Sequence, residues 1–384
     1  MIYFDNNATT QVAPEAFDKM SPFLRNKFGN PSSAYEFGRE MRKFLEQARQ
    51  SVAELIGASD AKEIVFTSGG TESDNWAIFG TLEASRDKNH IITTRVEHEA
   101  VKKVCQKLEL NGFQVTWLDV DEFGALDLQQ LHDSINDETA LVSIMLANNE
   151  TGVLFPVEQA CEIVKARSNA IFHVDGVNAV GKVPVTLNSS SIDLFSVSGH
   201  KFHAPKGIGA LYIRNGVELP SLKIGGGQEH GHRAGTEAVH QIVALGCAAE
   251  LAVAFPRINE IEAMRDDLED FILSTIPRTF LNGNQQNRIP NTTNISFENL
   301  NGEMILAGLN DYDICASTGS ACNETGTSSD VLAAMNIPFT KAMGAIRFSL
   351  GRYNTNDEVA QVKTALNAVI GNLRGFELPV ISDS

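Results

Sequence analysis

The chain has 384 residues, 43% of them hydrophobic and 21% charged. This is the composition of an ordinary globular protein, long enough for two domains or one with an appendage, and it excludes a collagen-like, coiled-coil or disordered chain. Asp and Glu outnumber Lys and Arg 48 to 31, and the resulting net charge of -17 argues against charge-driven binding of nucleic acid. There is no apolar run of about 18 residues, the length of a membrane span. The opening Met1-Ile2-Tyr3-Phe4-Asp5 lacks the basic and apolar regions of a signal peptide. The sequence therefore reads as cytoplasmic, with no membrane and no nucleic acid as direct partner. Five scattered cysteines, Cys105, Cys161, Cys247, Cys315 and Cys322, form no CxxC pair and no zinc-like spacing, so free thiols and no metal site are expected.

Residues 1 to about 15 form an arm too short to be a domain. From about residue 60 to 215, short apolar runs alternate with helical patterns. Ile64 to Phe66 predicts a strand and Ser73 to Leu82 a helix; Ile91 to Thr93 a strand and Ala100 to Leu110 a helix. Val115 to Leu118 then predicts a strand and Asp127 to Ile135 a helix; Ala140 to Leu146 a strand and Val157 to Ala166 a helix. Ile171 to Val174, Leu194 to Val197 and Ala210 to Ile213 complete the strands. The alternation predicts an α/β domain, and continuously apolar strands predict a mostly parallel sheet covered by helices on both faces. After Gly225-Gly226-Gly227 the pattern changes. Ile242 to Phe271 predicts long helical segments with Gly246 and Pro256 as breakers, and Asn291 to Leu350 mixes short strands, turns and helices. The expected division is a large domain over 16–255 and a smaller α+β domain from 1–15 and 256–384.

In an open α/β sheet, ligands bind at the C-terminal ends of the strands, so the residues after each strand carry the argument. After the first comes Thr67-Ser68-Gly69-Gly70-Thr71-Glu72-Ser73, a small, hydroxyl-rich turn opening a helix, whose backbone N–H groups make an anion site. Glu97-His98-Glu99 follows the second strand, and Ala147-Asn148-Asn149-Glu150-Thr151-Gly152 the fourth. His173-Val174-Asp175-Gly176 puts an Asp at the end of a buried strand, where it needs a partner. Ser198-Gly199-His200-Lys201 puts a Lys where burial lowers its pKa and makes it an amine nucleophile. Each has a plain structural explanation on its own: a capped turn, a packed histidine, turn chemistry. Together they give an anion cradle, an Asp and a Lys at one sheet edge, the set that pyridoxal phosphate requires.

These segments sit in one order with others. Phe4-Asp5-Asn6-Asn7-Ala8-Thr9-Thr10 and Gly29-Asn30-Pro31-Ser32-Ser33 precede them; Gly226-Gly227-Gln228-Glu229, Thr318-Gly319-Ser320-Ala321-Cys322 and Ile346-Arg347-Phe348-Ser349-Leu350-Gly351-Arg352 follow. Over nearly its whole length the sequence resembles the cysteine desulfurases of the NifS/IscS type, in the class V aminotransferase superfamily of fold type I. The resemblance implies pyridoxal 5'-phosphate as cofactor, with Lys201 as the Schiff-base lysine, Asp175 on the pyridinium nitrogen and His98 stacked on the ring and handling protons. It implies a phosphate held by Gly70, Thr71, Ser198 and His200, and by Thr236 across a homodimer. Asn148 and Arg347 match positions that hold the substrate carboxylate, for which an Arg fork is suited. Cys322 matches the nucleophile that takes sulfur from L-cysteine and passes it to an acceptor or scaffold protein, for iron–sulfur assembly or thiolation. Its own surroundings agree, because Ser317 to Ser329 is rich in Gly, Ser and Thr and reads as exposed and mobile rather than core. Cys315 reads as structural.

The sequence departs from the family pattern at a few positions. Asn178 stands where the family commonly has Gln beside the cofactor's phenolic oxygen, and His230 and Ala238 replace commoner Arg and Asn. The Cys322 segment looks about one residue shorter than in the housekeeping branch. Alternative readings are another class V aminotransferase, which needs no Cys322, a selenocysteine lyase, and a weakly active sulfur-transfer adaptor.

Overall fold

The computed structural model describes residues 1–254, 257–318 and 329–375; Cys322 therefore lies outside the described residues. The chain opens with a short strand, β1 (Ile2–Tyr3), followed by helices α1 (Pro14–Arg25) and α2 (Glu36–Leu55). Neither helix is among the expected elements. Proline at the first turn starts α1, where its missing N–H costs nothing. In α2, Met41, Leu45, Ala48 and Val52 are buried at helical spacing, and this stripe is legible in the sequence despite the charged residues between them.

The predicted alternation then follows: β2 (Ile64–Thr67), α3 (Gly70–Ala84), β3 (His90–Thr94), α4 (Glu99–Leu110), β4 (Gln114–Leu118), α5 (Leu128–Ser134), β5 (Thr139–Met145), α6 (Val157–Arg167) and β6 (Ile171–Asp175). Two strands without an intervening α-helix, β7 (Leu194–Ser198) and β8 (Gly209–Ile213), finish the sheet. Its order is β2-β8-β7-β6-β5-β3-β4. Strands β4, β3, β5, β6 and β7 run parallel, and β8 pairs antiparallel with both β7 and β2. Strands β5, β7 and β8 are buried along their whole length and β6 from its second residue on, as continuously apolar strands under two helical layers require. One difference matters for the site. Helix α3 begins at Gly70 rather than Ser73, because the anion-site turn itself is already helical.

Helices α7 (Val239–Val253) and α8 (Ile258–Thr275) come next. A three-stranded antiparallel sheet in the order β12-β10-β9 is built from β9 (Thr279–Leu281), β10 (Thr292–Phe297) and β12 (Ala345–Ser349). Between β10 and β12 lie α9 (Gly302–Asn310), β11 (Ile314–Cys315), α10 (Asp330–Ala334) and α11 (Phe339–Ala342); α12 (Asn356–Gly375) follows β12. A second core of Leu268, Ile272, Phe297, Leu309, Phe348 and Leu366 also takes in Ile2 and Phe4, since β1 pairs with β11. Val331, Leu332, Met335 and Ala342, although beyond residue 256, pack into the first and larger core. Among the described residues no single helix is long and apolar enough to cross a membrane.

Gly246, which reads in sequence as a helix breaker, sits inside α7 because α2 passes close beside it. A Cβ there would lie 2.6 Å from Ala48 Cα, a backbone atom that cannot swing aside. Gly246→Ala is expected to destabilise the fold by about 1–3 kcal/mol through overpacking, despite Ala's better helix propensity. A urea-unfolding midpoint equal to or above that of the parent would contradict this contact.

Candidate active site

The C-terminal ends of the parallel strands and the N-termini of α3 and α4 enclose a cavity of about 190 Å³. Its wall contains Gly70, Thr71, His98, Asp175, Asn178, Ser198, His200 and Lys201, together with Asp74, Met145, Asn149 and Val177. Eight expected residues, drawn from four separate stretches of sequence, thus meet at one sheet edge.

One end of the cavity suits an anion. Helix α3 starts after Gly69, which offers no side-chain cap, so the first amides of the helix face the cavity instead. A Cβ on Gly70 would lie 2.6 Å from Val177 Cγ2. A side chain at this position would press on the Val177 side chain. Ser198 and His200 lie across from these amides, and burial, then the nearby Lys201, pushes the His200 imidazole down to about 4, leaving it neutral. Glu72, in the first turn of α3, points away and is clamped by Arg233 and Lys223 at 2.9 Å each. Burial alone would raise its pKa; hydrogen bonds from Arg233, Ser68 and Lys223 more than offset this and hold it at about 2.

The other end is acidic and basic at once. Asp175 is 4% exposed and its Oδ1 accepts the Val177 N–H at 2.9 Å. Burial raises its pKa, while His98, Val177 and Lys201 favour the charged form. His98 caps α4 by accepting the Ala100 N–H on Nδ1 at 3.2 Å. Its pKa is lowered, chiefly by burial, so the ring is neutral and its one proton sits on Nε2. Lys201 Nζ donates to the carbonyls of Asn7 and Ala8. Burial, reinforced by Arg347, brings its ammonium down to about 8, so roughly a tenth of it is neutral amine at pH 7, far more than for an ordinary lysine.

The remaining expected residues divide. Asn148 is corrected: it is 1% exposed and holds its own loop together. Its amide donates to Val96 O at 3.1 Å and its Oδ1 accepts from Glu150 N, Thr151 N and Thr151 Oγ1. The neighbouring Asn149 is the one in the cavity wall. Two amides in a row look equivalent in sequence, and only the turn decides which faces inward. Asn178 donates to Asn148 O at 3.1 Å, and its Oδ1 accepts from Lys182 Nζ at 2.8 Å. Lys182 also donates to Asn7 Oδ1 at 2.9 Å, and its pKa is driven well down, mainly by burial. Arg347 is 4% exposed, donates to Asn149 O at 2.8 Å and pairs with Asp5 at 2.6 Å. Its Nε has no partner among the described residues. Thr236 is exposed and is not in this cavity wall. Cys105, Cys161 and Cys247 are buried and Cys315 is partly so, all unpaired; Cys322 lies outside the described residues.

Sequence reasoning passed over Asp74, Glu97 and Lys182. Asp74 falls inside a helix, Glu97 was seen only as a neighbour of His98, and Lys182 lies past the strand end. All three are titratable groups drawn in from solvent, Asp74 and Glu97 fully and Lys182 partly, and the sequence shows that only indirectly. Glu97 accepts from Thr94 Oγ1 and Met145 N, and burial pushes it up to about 8.

The fold and this cavity define a class of protein. The chain belongs to the class-V aminotransferase family, whose model ("Aminotransferase class-V") matches residues 2–362. It is 52% identical to "Cysteine desulfurase 2" of Trichormus variabilis (strain ATCC 29413 / PCC 7937) over 98% of this chain and 94% of the other. It is 47% identical to "Cysteine desulfurase NifS" of Azotobacter vinelandii over 97% of this chain and 93% of the other. A solved structure described as a NifS-like protein superposes with a TM-score of 0.89 at 38% identity, over 97% of this chain and 99% of that one.

Proposed function

We propose that this chain is a cysteine desulfurase dependent on pyridoxal 5'-phosphate, converting L-cysteine to L-alanine and moving the sulfur to Cys322. The observation that carries the reading is the cavity itself: a half-buried, neutral-prone lysine, a buried aspartate and an uncapped helix N-terminus share one space of about 190 Å³. The residues fit the cofactor. The glycine cradle at Gly70, which a Cβ would fill, suits a phosphate together with Thr71, Ser198 and His200. Asp175 suits a protonated ring nitrogen, and His98 offers a flat neutral ring in the wall. The full-length relatives named as cysteine desulfurases support the substrate.

When bound, the cofactor supplies an electron sink for bond breaking next to the substrate nitrogen. Everything else is done by the chain. Lys201 is the amine that attaches the cofactor and then the base that takes the proton from the substrate Cα. Asp175 holds the proton on the ring nitrogen and so stabilises charge that arrives there. His98, with its proton on Nε2, relays protons at the sulfur side. Arg347 takes the substrate carboxylate with the guanidinium that Asp5 and Asn149 O hold in this structure. Asn149, rather than Asn148, contributes the neighbouring amide. The Cys322 thiolate attacks the substrate sulfur: the substrate C–S bond breaks, an S–S bond forms, and L-cysteine plus the thiol become L-alanine plus a persulfide. We infer that Thr236 completes a phosphate site across a homodimer. The persulfide then goes to an acceptor protein of iron–sulfur assembly or thiolation.

The test is a product assay on the purified protein with L-cysteine and a thiol reductant. Sulfide and alanine in equal amounts are expected. A keto acid without sulfide would make this a class V aminotransferase of another substrate. The lysine adds a pH signature. Attachment of cofactor to the cofactor-free protein needs the neutral amine, so its rate is expected to rise about tenfold per pH unit below about 8 and to level off above. The growth of visible absorbance measures it, and a rate independent of pH over that range would contradict the lowered Lys201.

A further inference from the structure

A second carboxylic acid stands in the cavity wall next to Asp175. Asp74, on the first turns of α3, is 1% exposed. Its Oδ1 has no hydrogen-bond partner among the described residues and lies 3.6 Å from His173 Nε2. His173 is no counter-ion. It is fully buried, its Nδ1 is 2.9 Å from Ser143 Oγ and its Nε2 3.0 Å from Ser196 Oγ, and burial pushes it down to about 3. Two hydroxyls therefore saturate a neutral ring. Ser196 is also the Cα partner of Asp175 in the β6–β7 register, so the aspartate, the histidine and the serine line up beneath the cavity floor.

The groups that act on Asp74 are thus Asp175 on β6, Ser196 on β7 and Glu97 before α4, with His173 of β6 at 3.6 Å, while Lys201 and His98 act on Asp175. Two buried carboxylates in the wall of one cavity of about 190 Å³ repel, and ionising both without a cation between them is costly. The donors and the positive charge nearby favour one of them. Asp175 has the Val177 N–H and Lys201; Asp74 has only a hydroxyl. Burial, then the charge on Asp175, raises Asp74 well above the ordinary carboxylate range.

The geometry points to a two-carboxyl, one-charge site at the ring-nitrogen end: Asp74 holds a proton, Asp175 carries the charge, and Asp74 can release its proton and take over the charge if Asp175 is neutralised. Asp74 is then a positioning residue, acting through Asp175. It fixes the net charge facing the ring nitrogen at minus one and keeps that charge on the aspartate best placed to hold it. This inference rests on the cofactor reading above.

Infrared difference spectroscopy of the cofactor-loaded protein reads the proton directly. Asp74→Asn is expected to remove one protonated-carboxyl C=O band, and Asp175→Asn to convert that same band to ionised carboxylate. Loss of ionised-carboxylate absorption on Asp74→Asn would overturn the assignment. Cofactor affinity of the cofactor-free protein gives a second readout. Asp74→Asn alone is expected to change it less than about threefold, but to cost about tenfold or more when added to Asp175→Asn, a coupling that two independent sites do not show. Equal small effects in both backgrounds would overturn the shared charge. If Asp74→Asn does not fold, Asp175→Asn alone still decides, because its infrared spectrum must show Asp74 ionised. A parent protein that binds no pyridoxal phosphate would defeat the functional reading instead, and the infrared bands of Asp74 would still report its proton.

Discussion

Lys201→Ala is expected to lower turnover of L-cysteine by about 10⁴-fold or more, since one substitution removes both the attaching amine and the base for the Cα proton. Cofactor should still enter, because Gly70, Thr71, Ser198 and Asp175 are untouched, but it should dialyse away and lack the absorbance of the lysine-attached form. Lys201→Arg separates charge from nucleophilicity. It keeps a cation facing the carbonyls of Asn7 and Ala8, yet arginine cannot deprotonate to attack. It should therefore be as inactive as the alanine variant. An arginine variant with more than a few per cent of parental activity would remove Lys201 from the chemistry.

Cys322→Ala is expected to abolish sulfide release while leaving cofactor content and its absorbance unchanged. The substitution acts after the Cα proton has left, so exchange of that proton with solvent should persist at near-parental rate. That split is the signature of a nucleophile acting on sulfur rather than of a structural cysteine. Cys322→Ser is expected to behave the same way, since a hydroxyl does not ionise near neutral pH and a thiolate is required. Selenide release from selenocysteine surviving in either variant would move the assignment toward a selenocysteine lyase. Sulfide release surviving would remove Cys322 from its role.

Much of the site was legible in the sequence because strand ends announce themselves. Asp175 and Lys201 each follow a short apolar run that has to be a buried strand, and a charge there needs a reason. Glycine and hydroxyls at 69–71 gave the anion turn, and the structure added only that the helix begins at Gly70. What stayed hidden depends on orientation. Asn148 and Asn149 differ by which side of one turn they face, and a residue pattern carries no information about that. Asp74 lies within a helix whose two faces are both covered, so no polar stripe marks it as buried or exposed. Lys182 looks like a surface residue after a glycine, but its amine ends between Asn7 and Asn178. Helices α1 and α2 were missed for a different reason. Their apolar stripes are present but diluted by charge, and their burial depends on α7, about 200 residues away.

The central claim is that sulfur leaves L-cysteine and lands on Cys322. The most direct test is mass spectrometry of the protein after incubation with sulfur-34-labelled L-cysteine, without reductant. The account predicts one heavy sulfur added to the peptide containing Cys322, in step with alanine formed, and none on peptides containing Cys105, Cys161, Cys247 or Cys315. Alanine formed with no label on Cys322, or label on another cysteine, would contradict it.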